Sequence, residues 1–120
     1  MDVIDRILTS SQAIAAVWLS PDPERPNHYV ARCIQQQSYR IIPVNPNIDD
    51  ALREKSYPDL KWVPDPLDMV DIFRRPEHVV PIVEQAIDVG AKYIWMQDGV
   101  VNEKAAALAE AAGLSVVMDN

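Results

Sequence analysis

A chain of 120 residues fits one domain, and a hydrophobic fraction of 48% is enough to fill a core, which excludes a disordered chain. The formal net charge of −7 argues against a nucleic-acid surface, which needs a basic face to displace phosphate counterions. A phosphate-bearing small ligand stays open, because a few arginines can invert the field inside one cleft.

The single cysteine, Cys33, leaves no internal disulfide and fits a reducing cytoplasm. No apolar run approaches the roughly 20 residues of a membrane span. At the start of the chain, Val3, Ile4, Ile7 and Leu8 recur at helical spacing and predict a short amphipathic helix over 2–9. The same stretch is too acidic, and its apolar part too short, for a signal peptide, so a cytoplasmic location is expected.

Ile14 to Leu19 is an apolar run of strand length. It stops at Ser20-Pro21-Asp22-Pro23-Glu24-Arg25-Pro26, where three prolines remove amide donors. Asn27 is placed to cap a helix that starts near His28 and carries Tyr29, Val30, Cys33 and Ile34. Strand, loop and helix N-terminus in that order predict an anion site for a nucleotide-like ligand, since free amides and the helix dipole would point at the loop.

Tyr39 to Val44 is the second predicted strand, with Pro43 near its end or turned from a partner. Asn45-Pro46-Asn47 is a turn, and Asp49 to Lys55 is expected to form one or two helical turns. Loops with apolar anchors fill 57–60 and 63–66. The third strand, Met69 to Phe73, ends at Arg74-Arg75-Pro76, with Pro76 suited to the first turn of the next helix. That helix buries Val79, Val80, Ile82, Val83, Ala86 and Ile87, and Gly90 stops it. Ala91 to Met96 is the fourth strand and Gln97-Asp98-Gly99 a turn. Asn102 caps an alanine-rich helix that Gly113 ends, and Leu114 to Met118 is the fifth strand.

The alternation of strands and helices predicts an α/β fold: a mainly parallel five-stranded sheet with helices on both faces. Ligands of such sheets bind outside the carboxyl ends of the strands. The loops selected by topology are therefore Ser20 to Asn27, Asn45 to Asn47, Phe73 to Arg75, Gln97 to Gly99, and Asp119.

Five blocks at those strand ends resemble the small stand-alone CoA-binding proteins, whose domain is similar to the CoA-binding domain of the succinyl-CoA synthetase alpha subunit. They are Leu19-Ser20-Pro21-x-Pro23-x-Arg25-Pro26, Pro43-Val44-Asn45-Pro46, Asp71-Ile72-Phe73-Arg74-Arg75-Pro76, Trp95-Met96-Gln97-x-Gly99-Val100 and Ala112-Gly113-Leu114-x-Val116-Val117-Met118-Asp119. The resemblance runs from about Ile7 to Asp119. It implies a Rossmann-like three-layer α/β/α domain that holds the ADP end of coenzyme A or an acyl-CoA. Trp18, Leu19, Ser20, Pro21 and Asn27 then fall at the pyrophosphate loop, with Ser20 and the amides after it meeting the pyrophosphate. Arg25 offers charge to a phosphate. Asn45, Pro46 and Asn47 lie near the adenosine and its ribose phosphate. Phe73 and Arg74 flank the adenine or the pantetheine arm, and Gln97 and Gly99 border the far side. Where this family usually carries glycine, the chain has Trp18, Ser38 and Arg53.

No nucleophile, base and oxyanion set is apparent, so the expected function is binding without catalysis. A domain whose pocket is plugged by Trp18, acting through protein contacts, is the alternative. An enzyme that uses a CoA thioester or NAD is a third reading, although the G-x-G-x-x-G pattern is absent. His28 and His78 lack metal-ligand spacing, so no metal is expected. Both a monomer and a homodimer fit, because a short sheet leaves an edge to cover.

Overall fold

The computed structural model describes residues 13–64, 66–96 and 102–118. The predicted N-terminal helix, the turn at Gln97 to Gly99, and Asp119 lie outside them. In chain order the strands are β1 (Ala13–Val17), β2 (Arg40–Val44), β3 (Asp50–Ala51), β4 (Glu54–Lys55), β5 (Met69–Ile72), β6 (Tyr93–Met96) and β7 (Ser115–Met118). The α-helices are α1 (Pro26–Gln36), α2 (Val79–Asp88) and α3 (Glu103–Ala111). Among the described residues no helix is long and apolar enough to cross a membrane.

Five strands form one parallel sheet in the order β2-β1-β5-β6-β7. From β1 the chain steps outward one way to β2, and from β5 the other way through β6 to β7. Crossovers of one hand then place helices on opposite faces. Ala31 of α1 packs with Ile14, Ala16, Ile41, Met69 and Val117 on one face. Val79, Val83 and Ala86 of α2, with Ala105, Ala106 and Ala109 of α3, pack with Ala15, Val17, Ile42, Val70, Ile72, Ile94 and Met96 on the other. Neighbours in each strand point opposite ways, so strands with apolar residues on both sides, such as Ile14 to Val17, supply both cores. This is the predicted Rossmann-like three-layer arrangement.

Pro43 sits in β2, an outer strand, where its missing amide leaves no central ladder bond unmade. Gly90 and Gly113 follow α2 and α3 with φ of +80° and +91°, the left-handed turn that ends a helix.

Residues 49–55 do not form helical turns. They are a two-stranded antiparallel ribbon, with Asp50 opposite Lys55 and Ala51 opposite Glu54. Its turn residues, Leu52 and Arg53, have φ of 53° and 66°. Two consecutive left-handed residues give the tight turn that matches strand twist. The usual Asn-Gly signal is missing here, so the turn is invisible to composition.

Candidate functional site

The chain leaves β1 through a left-handed residue: Trp18 has φ of 71°. A bulky side chain rarely takes that conformation, and here hydrogen bonds fix it. The Trp18 amide donates to the Val44 carbonyl at 2.8 Å. The three carbonyls that follow are each held by a side chain. Asn27 Nδ2 donates to Trp18 O at 3.4 Å, Asn45 Nδ2 to Leu19 O at 3.1 Å, and His28 Nδ1 to Ser20 O at 2.9 Å.

The amides of this loop are also committed. Asn27 Oδ1 accepts from Ser20 N at 3.0 Å, and Ser20 Oγ accepts from Asp22 N at 3.1 Å. Asp22 Oδ1 accepts from Glu24 N, and the Asp22 carbonyl accepts from Arg25 N, both at 3.0 Å. Pro21, Pro23 and Pro26 have none to give. The loop is a folded rim whose own acceptors satisfy these four donors, not an open nest of amides.

Asn27 is therefore not the cap. Arg25 holds the N-cap position without a side-chain bond, and Pro26 opens α1. Proline at the first position costs no helical bond, which frees Asn27 to reach back across the loop. His28 is buried beside it in the same first turn.

At the exit of β2, Asn45 is buried and does two jobs. It holds Leu19 O, and its Oδ1 accepts from Asn47 N at 2.9 Å. At the exit of β5, Phe73 N donates to Val17 O at 3.0 Å, and Arg74 and Arg75 follow. Pro76 then begins a short 3₁₀ turn, Pro76–His78, that runs into α2. Asn102 Nδ2 donates to Pro76 O at 2.8 Å while its Oδ1 caps α3 through Ala105 N. One side chain thus fixes the arginine loop to the start of the next helix.

These three exits enclose a cleft of about 500 Å³. It lies between β1 and β5, where the direction of strand succession reverses. Trp18, Ser20, Pro21, Arg25, Asn27, Asn45, Asn47, Phe73 and Arg74 of the expected set line it together. Leu19 does not, because its side chain is fully buried in the α1-side core. Pro46 is exposed and is not among the lining residues. Gln97 and Gly99 lie outside the described residues. Ile48, Arg75 and His78 complete the lining. The ribbon and the 3₁₀ turn place Ile48 and His78, and no local pattern announces either. The second arginine after β5 was a readable signal.

Among the described residues no carboxylate lines the cleft, whereas three of the chain's seven arginines do, in a chain of net charge −7. Among the described residues neither Arg25 nor Arg75 pairs with a carboxylate. Both are exposed and free to turn toward a bound anion. No group of three metal-ligating side chains occurs among the described residues.

A second cavity of about 250 Å³ lies next to the first. Trp18, Arg74 and His78 line both. The second is walled by Val17, Val44, Leu60 and Ile82, and it carries two carboxylates, Asp59 and Glu77. Gln85 braces its wall, accepting from Leu60 N at 3.2 Å and donating to Asp59 Oδ1 at 3.5 Å. The Arg74 guanidinium carbon sits 3.8 Å from the centre of the Trp18 ring, a close cation–π stack.

Known proteins are similar to this chain in sequence or in fold. YneT of Bacillus subtilis (strain 168) is 41% identical over 97% of this chain and 86% of its own length. A hypothetical protein from Pyrococcus horikoshii OT3 superposes with a TM-score of 0.94 at 38% identity, over 98% of this chain and 82% of that one. Acetyl-coenzyme A synthetase 1 of Ca. Korarchaeum cryptofilum, in complex with phosphate and ADP, shares the fold at a TM-score of 0.80 and 24% identity. The match spans all of this chain and 28% of the synthetase. The model of the CoA binding domain family matches residues 12–120, which takes in every strand and helix described above. The chain belongs to the CoA binding domain family.

Proposed function

We propose that the chain binds coenzyme A or an acyl-CoA through its ADP moiety, at the carboxyl ends of the parallel strands, and performs no reaction on it. The observation that carries this reading is the sign of the cleft: among the described residues three arginines and no carboxylate line it, in an acidic protein. A field of that sign concentrates anions at the strand ends. Family membership favours coenzyme A among the nucleotides that carry such charge.

In this reading the phosphates are held by side chains, because the amides of Ser20, Asp22, Glu24 and Arg25 are already engaged. Arg25, Arg74 and Arg75 supply planar forks that match phosphate oxygens. Asn45 and Asn47, with Phe73 opposite, border the adenosine, and Gln97 and Gly99 close the far side on topology alone. Among the described residues no carboxylate faces the cleft to serve as a general base, and Ser20 Oγ accepts the Asp22 amide. That set favours binding over catalysis. The open volume beside Trp18 favours this reading over a plugged pocket.

Isothermal titration with coenzyme A tests it. Saturable heat is expected, and Arg25→Ala or Arg75→Ala should each weaken binding by about tenfold, the worth of one charged hydrogen bond. Absence of heat at millimolar ligand would overturn the reading.

A further inference from the structure

We propose that Trp18, stacked under Arg74, is the specificity-determining residue of the cleft: a partition that admits the phosphate-bearing head of the ligand and closes the adjoining chamber to the rest. The inference rests on the coenzyme A reading above and adds what this chain's own residues do to it.

A side chain that lines two cavities stands between them. Trp18 lines both, and so do His78 and Arg74, whose guanidinium carbon lies 3.8 Å from the centre of the indole ring. Each ring of the stack holds the other in place, so the partition is a packed wall and not a loose side chain. The backbone beneath it is fixed as well, through Trp18 N to Val44 O and through Asn27 to Trp18 O.

The two compartments differ in chemistry. The larger one is cationic throughout its charged lining. The smaller one is walled by Val17, Val44, Leu60 and Ile82 and carries only carboxylates beyond the shared groups. A phosphate is drawn to the first and repelled by the second. An uncharged arm would suit the second, but the indole stands in its way. With Trp18 in place, the arm contributes little to affinity, and a ligand that lacks it binds almost as well.

The position itself makes the test clean. Glycine takes a φ of 71° without the steric cost that tryptophan meets there, so Trp18→Gly removes the wall without introducing backbone strain. Trp18→Phe keeps an aromatic wall and controls for loss of the indole alone.

Titrate coenzyme A and adenosine 3′-phosphate 5′-diphosphate, which keeps every phosphate of the head and lacks the arm, into the wild type and both variants. In the wild type, and in Trp18→Phe, the two ligands should bind within about threefold of each other. In Trp18→Gly the ratio should move about tenfold in favour of coenzyme A, with the arm-free diphosphate changed by less than about threefold. A ratio unchanged by Trp18→Gly overturns the partition while leaving coenzyme A binding intact. So does a wild-type preference for coenzyme A already tenfold or more. If neither ligand binds any of the three proteins, the coenzyme A reading itself has failed and the partition falls with it.

Discussion

The exits of β1 and β5 meet at one cleft and contribute opposite things to it. After β1, the carbonyls of Trp18, Leu19 and Ser20 and the amides of Ser20, Asp22, Glu24 and Arg25 are spent within the loop or on Asn27, His28 and Asn45. After β5, the chain presents Arg74, stacked on Trp18, and the exposed Arg75, and Asn102 holds Pro76 just beyond them. The first exit is mostly framework, with one charge, Arg25, at its far end, and the second brings two charges. A phosphate site is commonly pictured as a loop of open amides at a helix start. Here four amides of that loop are bonded within it or to Asn27, and two of the three cationic side chains come from the exit of the neighbouring strand.

If charge and framework are divided in this way, they should be separable by mutation. Arg74→Ala with Arg75→Ala should weaken coenzyme A binding by about a hundredfold while unfolding stability changes by less than about 1 kcal/mol. Calorimetry and urea unfolding of the same protein would read both. A large loss of stability would merge the two roles.

The converse variant is Asn27→Ala, which leaves a carbonyl and an amide of the rim without their partner. It should cost about 2 kcal/mol of stability, measured by urea unfolding. Its effect on affinity should be smaller than that of the arginine pair. If the stability were unchanged, the rim would not be the framework.

The smallest effects concern backbone far from the cleft. Ser38 and Arg53 have φ of 74° and 66°. Ser38→Gly and Arg53→Gly should each raise stability by about 0.5–1 kcal/mol, with coenzyme A affinity unchanged. A loss of stability would mean that contacts of these side chains outweigh the strain.

The sheet was legible because its signals are local and repeated. Apolar runs such as Ile14 to Val17 and Met69 to Ile72 are of strand length, and each is followed by residues that cannot continue a strand. The three positions where the family resemblance calls for glycine, Trp18, Ser38 and Arg53, all carry left-handed backbone. The glycine pattern is thus a record of conformation, and this chain keeps the conformation with other residues. Leu52 and Arg53 hid the ribbon for the same reason. Asn27 was misread because a capping rule sees only its own helix, while its partners lie seven and nine residues back. The meeting of Arg25 with Arg74 and Arg75 followed from topology, since both loops leave adjacent parallel strands. What no local pattern could reveal was that the β1 loop has already used its amides.

The most direct test of this account is a crystal structure of the protein with coenzyme A, read for the position of the phosphorus atoms. The account predicts phosphate oxygens within hydrogen-bond distance of the guanidinium groups of Arg25, Arg74 or Arg75, with the Ser20 amide still bonded to Asn27. Phosphates bound by the amides of 20–25 with the rim opened, or density for the nucleotide away from the β1–β5 cleft, would contradict it.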